Sequence, residues 1–93
     1  MSKATAVRLL FGGRVQGVNF RDFTRHEAAN FNIVGYVTNM TDGTVQVVAE
    51  GQRPDILHFI EVLMSGPPNA IVNSVETKWL EPTGSYTEFQ INL

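Results

Sequence analysis

The sequence predicts an α+β fold, ordered β-α-β-β-α-β with an extra terminal strand. Its expected form is a sandwich, an antiparallel sheet with two helices on one face. Three observations carry this. Val7, Leu9 and Phe11 alternate with Arg8, Leu10 and Gly12, and Val45, Val47 and Ala49 recur at the same two-residue period of a strand. Ile56, Phe59, Ile60 and Leu63 recur at the spacing of an amphipathic helix. Thr41-Asp42-Gly43 is a hairpin signal, because Asp-Gly suits the positive dihedrals of a tight turn.

In chain order, Val7, Leu9 and Phe11 define the first strand. Residues 22–31 read as the first helix, with Phe20, Phe23, Ala28 and Phe31 roughly on one side. Val34 to Asn39 reads as the second strand, and Val45, Val47 and Ala49 mark the third. Pro54 suits the first position of the second helix, which Gly66 and the following prolines end. The fourth strand lies within Ile71 to Leu80, Pro82-Thr83-Gly84 turns the chain, and Tyr86 to Ile91 is the last strand. This order is the ferredoxin-like arrangement.

Composition narrows the function classes. Ninety-three residues, 43% hydrophobic, suit one small domain over 1–93 with a core of its own. The absence of cysteine excludes disulfides, structural cysteine–zinc sites and cysteine nucleophiles, and fits a cytoplasmic protein. Met-Ser-Lys-Ala-Thr has no apolar core of a signal peptide, and Ile56 to Met64 is too short to span a bilayer, so no membrane role is expected. A net charge of −2 argues against general nucleic-acid binding, yet leaves room for a local anion site.

Gly13-Arg14-Val15-Gln16-Gly17-Val18-Asn19-Phe20-Arg21 supplies that site. It leaves a strand and enters a helix. Helix starts present unpaired N–H donors and partial positive charge, for which phosphate is the usual guest. Arginine adds a planar fork of donors that matches phosphate oxygens. No Gly-Lys-Ser/Thr follows, so this is not a Walker loop, and the glycine spacing is not that of a dinucleotide fingerprint.

The same run, with Gly35-Tyr36-Val37-Thr38-Asn39, Asp42-Gly43-Thr44-Val45, Glu50-Gly51, Gly66-Pro67-Pro68 and Phe89-Gln90-Ile91, resembles the acylphosphatase family. The likeness spans residues 6–92. Asn19 and Asp22 depart from the residues usual at their positions, and neither replaces a residue with a catalytic role. The resemblance implies the ferredoxin-like fold and metal-independent hydrolysis of acyl phosphates, with inorganic phosphate as product. It implies that Arg21 binds the phosphoryl oxygens and Asn39 orients the attacking water. Arg14, Val15, Gln16, Gly17, Val18, Asn19 and Phe20 would form the phosphate-binding loop. The implied partner is a small-molecule acyl phosphate, with no cofactor and no metal, and the chain is expected to be a monomer.

The topology supports the pairing of Arg21 with Asn39. In a split β-α-β unit the first and second strands run the same way with the third between them. Their C-terminal ends then lie at one sheet edge, two strand spacings or about 9 to 10 Å apart. Plainer readings stand beside these roles. Arg14 alone reads as an exposed charge and Gln16 as either a loop-ordering or a solvent-facing residue. Gly17 reads as a turn glycine, and Asn19 as a residue in a left-handed position that asparagine tolerates. His26 and His58 have no partner at metal-ligand spacing. Asp42 reads as a turn residue and Trp79 as a packing residue. Two other classes compete: a non-catalytic domain binding phosphate or a metabolite in the same cradle, and an RNA-binding module. Retention of both Arg21 and Asn39, without flanking domains, favours the free enzyme over the first. The third strand, Thr44 to Glu50, holds no aromatic residue for base stacking, which disfavours the second.

Overall fold

The computed structural model describes residues 4–92; Met1, Ser2 and Lys3, part of the terminal segment read above for a leader, lie outside them, as does Leu93. The elements are β1 (Ala4–Arg14), α1 (Phe20–Asn30), β2 (Val34–Asn39), β3 (Val45–Gln52), α2 (Arg53–Ser65), β4 (Ile71–Leu80) and β5 (Phe89–Asn92). They form one five-stranded sheet in the order β4-β1-β3-β2-β5. The expected ferredoxin-like order is present, and β3 separates β1 from β2.

Alternation decides the faces. Val7, Leu9 and Phe11 of β1 and Val45, Val47 and Ala49 of β3 are wholly buried, whereas Arg8 is exposed. Both helices cover that apolar face. Phe20, Thr24 and Ala28 of α1, and Ile56, Phe59 and Leu63 of α2, point into the core between the layers. Phe11 and Phe20 bring their ring centroids to 5.3 Å, which fixes the start of α1 against β1.

The sheet is antiparallel except at one edge, where β5 runs parallel to β2. The antiparallel sheet expected from the sequence is thus made mixed by its added terminal strand. The reason lies in the connection. β4 runs against β1 and ends at the sheet end opposite the Asn39 end of β2. Residues 81–88 then cross four strand spacings, about 19 Å, to the far edge, and β5 returns in the direction of β2. The crossing uses chain length, so the last strand starts at Phe89 and not at Tyr86.

Glu50 holds that crossing. It is 5% exposed and sits in β3, midway across the sheet. The Thr83 amide donates to both carboxylate oxygens at 3.2 and 3.0 Å, the Thr83 hydroxyl donates at 2.9 Å, and the Gly84 amide donates at 3.0 Å. Burial pushes the Glu50 carboxyl up, but the hydrogen bonds from Thr83 and Gly84 together pull harder and leave it below its ordinary value.

Trp79, expected as a packing residue, is 38% exposed on an edge strand. Its ring carries the Arg53 guanidinium 4.1 Å from its centroid. Among the described residues no helix is long and apolar enough to cross a membrane.

Candidate active site

The site forms where β1 and β2 end. A bulge between Gly12 and Gly13 shifts the register of β1 against β4, and the pairing continues to Arg14 before the chain enters the loop. Gly13 has φ 116°, and a Cβ there would overlap the Ile71 carbonyl, so only glycine fits. Gly17 has φ 75° and Asn19 φ 67°, so the loop curls through two left-handed residues before α1 begins. The left-handed reading of Asn19 is thereby met. The helix starts at Phe20, directly after that turn, and so includes Arg21, two residues earlier than the periodicity indicated.

No side chain caps the start of α1, and Asn19 makes no capping bond. The first-turn donors therefore face the loop that precedes them. Asn39 approaches from the sheet. In the β2–β3 register Gly35, Val37 and Asn39 oppose Ala49, Val47 and Val45, so Asn39 lies on the helix-covered face. Its side chain points toward the layer from which Arg21 emerges.

A pocket of about 170 Å³ joins these parts, lined by Val15, Gly17, Asn19, Phe20, Arg21 and Asn39, together with Asp22. Val15 and Phe20 are buried in the core and anchor the cradle. Arg14, Gln16 and Val18 do not line it. Arg14 is exposed at the end of β1, and Val18 packs half-buried against the core.

Gln16 supports the site from outside. Its side-chain amide donates to the Met40 carbonyl at 2.8 Å and the Thr44 carbonyl at 2.9 Å. This ties the cradle to the hairpin that carries Asn39. The hairpin is itself closed by the Met40 amide, which donates to the Thr44 carbonyl at 2.8 Å. The Thr44 hydroxyl and amide hold the Asp42 carboxyl below its ordinary value, which confirms Asp42 as a turn residue.

Two observations point to chemistry. Asn39 Oδ1 is a buried acceptor with no partner among the described residues. Such atoms are rare, because an unpaired buried polar group costs about 1–3 kcal/mol. Arg21 brings a cation to the same pocket, and among the described residues only Asp22 adds an opposite charge to its lining. Asp22 is paired outward, at 3.8 Å from Arg25. No group of three or more His, Asp or Glu side chains is gathered for a metal ion among the described residues.

Two features escaped sequence reading. The sequence reads Asp22 as a helix-start acid with its charge near the phosphate site, and its place on the pocket wall follows from the early helix start. Glu50 drew no role, although a carboxylate beside the apolar run Val47–Ala49 was the visible signal.

The comparisons agree with this geometry. The acylphosphatase family model matches residues 7–91. An acylphosphatase of Dehalococcoides mccartyi is 46% identical over 86 residues, covering 91% of this chain and 94% of that protein. The crystal structure of acylphosphatase from Bacillus subtilis superposes with a TM-score of 0.92 at 31% identity, covering 96% of this chain and 99% of that one. Full-length HypF contains a similar unit, with a TM-score of 0.90 at 28% identity over 99% of this chain but only 12% of its own. With its fold and nearly its whole length matched, this chain belongs to the acylphosphatase family.

Proposed function

We propose that the chain hydrolyses acyl phosphates at the pocket between Arg21 and Asn39. The observation that carries this reading is the convergence of an arginine, an uncapped helix start and an unpartnered buried asparagine oxygen on one phosphate-sized cavity.

The chemistry fits the residues present. Phosphoryl transfer spreads charge over the equatorial oxygens, so placed donors do most of the work. Arg21 and the N–H groups of the loop and first helical turn hold those oxygens. Asn39 Oδ1 accepts a hydrogen bond from the attacking water and aims it at phosphorus. The water oxygen forms the new P–O bond as the bond to the acyl oxygen breaks, and its electron pair leaves on the carboxylate. The products are a carboxylate and inorganic phosphate, with one water proton retained by phosphate and the other retained or released according to pH. The carboxylate's acid has a pKa of about 4, so it departs without protonation. An alkyl phosphate ester would need a proton donor, and among the described residues the lining holds no histidine, cysteine, tyrosine or lysine for that task.

The same reading takes residues 1–93 as a single domain acting as a monomer, without cofactor or nucleic acid, in the cytoplasm. The pocket is complete within one chain, the charge is −2, and cysteine is absent. The test is an assay of purified protein on an aromatic acyl phosphate and on an alkyl phosphate ester, each with and without chelator. Rapid, chelator-insensitive hydrolysis of the first alone is expected. Equal rates on both, or loss of activity restored by a divalent ion, would overturn the mechanism.

A further inference from the structure

A second, larger space lies beside the cradle. An open groove of about 640 Å³ follows one face of α1 through Asn19, Asp22, Phe23 and Ala29, and is closed opposite by Pro67 and Pro68 from the loop after α2. Its volume is that of a small-molecule site, several times larger than the cradle.

Asn19 and Asp22 line both spaces, whereas Asn39 lines the cradle alone. In phosphoryl transfer the attacking and leaving oxygens stand roughly in line through phosphorus. A water held by Asn39 therefore expels its leaving group away from β2, toward the Asn19–Asp22 wall. That wall is where the groove begins.

The character of the groove sets what it takes. Phe23 is half-buried, held by Phe20 at 6.4 Å between ring centroids, and presents an apolar face beside Ala29 and the two prolines. The two opposite charges on its rim, Asp22 and Arg25, stand 3.8 Å apart and offset each other. His26 is the other titratable group on the lining. We propose that this groove binds the acyl portion of the substrate and selects apolar, aromatic acyl groups over short or charged ones. Phe23, Ala29, Pro67 and Pro68 are its specificity determinants. This assignment rests on the proposed acyl phosphate hydrolysis.

The experiment compares kcat/KM for benzoyl phosphate and acetyl phosphate in the full chain, in Ala29→Glu and in Phe23→Leu. Taking the ratio within each protein and comparing it across variants cancels the intrinsic reactivity of the two substrates. Ala29→Glu puts a carboxylate on the apolar wall, at an exposed position that tolerates it. It should lower the benzoyl-to-acetyl ratio about tenfold, the low end for an altered apolar pocket. Inhibition by inorganic phosphate should stay as in the parent protein, because Ala29 does not touch the cradle. Phe23→Leu should lower the ratio in the same direction. Should Phe23→Leu fail to fold by circular dichroism, Ala29→Glu decides alone. An unchanged ratio in folded Ala29→Glu refutes the acyl site while leaving the hydrolase reading in place. A parent protein that hydrolyses neither substrate refutes both.

Discussion

Replacing Glu50 by glutamine tests the claim that one carboxylate holds the β4–β5 crossing. The carboxylate accepts from three donors, the Thr83 amide, the Thr83 hydroxyl and the Gly84 amide. An amide keeps one oxygen but turns an NH2 toward at least one of those donors. At least one charge-assisted hydrogen bond is lost, and the expected loss is about 1.5–3 kcal/mol. For a domain of this size each kcal/mol moves Tm by roughly 4–8 °C, so Tm should fall on the order of 10–20 °C. The pH dependence gives a second readout. The folded Glu50 carboxyl lies below its ordinary value of 4.5. Its contribution is therefore fully present above the unfolded pKa and disappears as pH falls through the folded one. Glu50→Gln should be flatter than the parent protein below about pH 4.5. Chemical denaturation from pH 3 to pH 8 measures both effects. Catalysis should be spared at 25 °C, because Glu50 lies about 17 Å along β3 from Val45, the partner of Asn39. A variant within about 0.5 kcal/mol of the parent at pH 7 would refute the reasoning.

Other outcomes follow from the site. Arg21→Ala should lose turnover and phosphate inhibition together, whereas Asn39→Ala should lose turnover with phosphate inhibition largely kept; each rate loss should reach at least the order of 10² to 10³, and normal phosphate binding by folded Arg21→Ala would place the anion elsewhere. Asn19→Gly should fold and stay active, with a small gain in thermal stability, since glycine accepts the left-handed backbone without strain; a loss of more than about 1 kcal/mol in denaturation would contradict this. Gln16→Leu removes both ties between cradle and hairpin and should lower kcat by about tenfold while leaving phosphate inhibition within a factor of a few; steady-state kinetics with phosphate as inhibitor separates this from a plain loss of folded protein.

Local patterns carried much of the fold. The bounds of β2 and β4 and the Asp42-Gly43 turn were legible because alternation and turn chemistry act within a few residues. The cradle was legible from one motif, and the split β-α-β order placed Asn39 at its edge. What escaped depended on contacts between segments far apart in sequence. The direction of β5 is set by a crossing held at Glu50, 33 residues before Thr83. Gln16 reads as a polar loop residue until Met40 and Thr44, 24 and 28 residues on, arrive beside it. Trp79 reads as core by its size, but among the described residues its strand has only β1 as a neighbour.

The position of β1 has a consequence for how the chain reaches this state. β1 is made before the strands it pairs with, yet it is an interior strand, paired on one side with residues 45–52 and on the other with residues 71–80. During synthesis it has no partner until β3 is complete, and one edge stays bare until β4 follows. Pairings of such separation close long loops before they are rewarded, which slows folding relative to a helical domain of equal size. All residues of the proposed hydrolytic site are present once β3 is made, yet Ile56, Phe59 and Leu63, which complete the core beneath them, come later. The nascent chain therefore holds its whole reactive inventory before it has the means to hold it in place, and competence should arise in one late cooperative step.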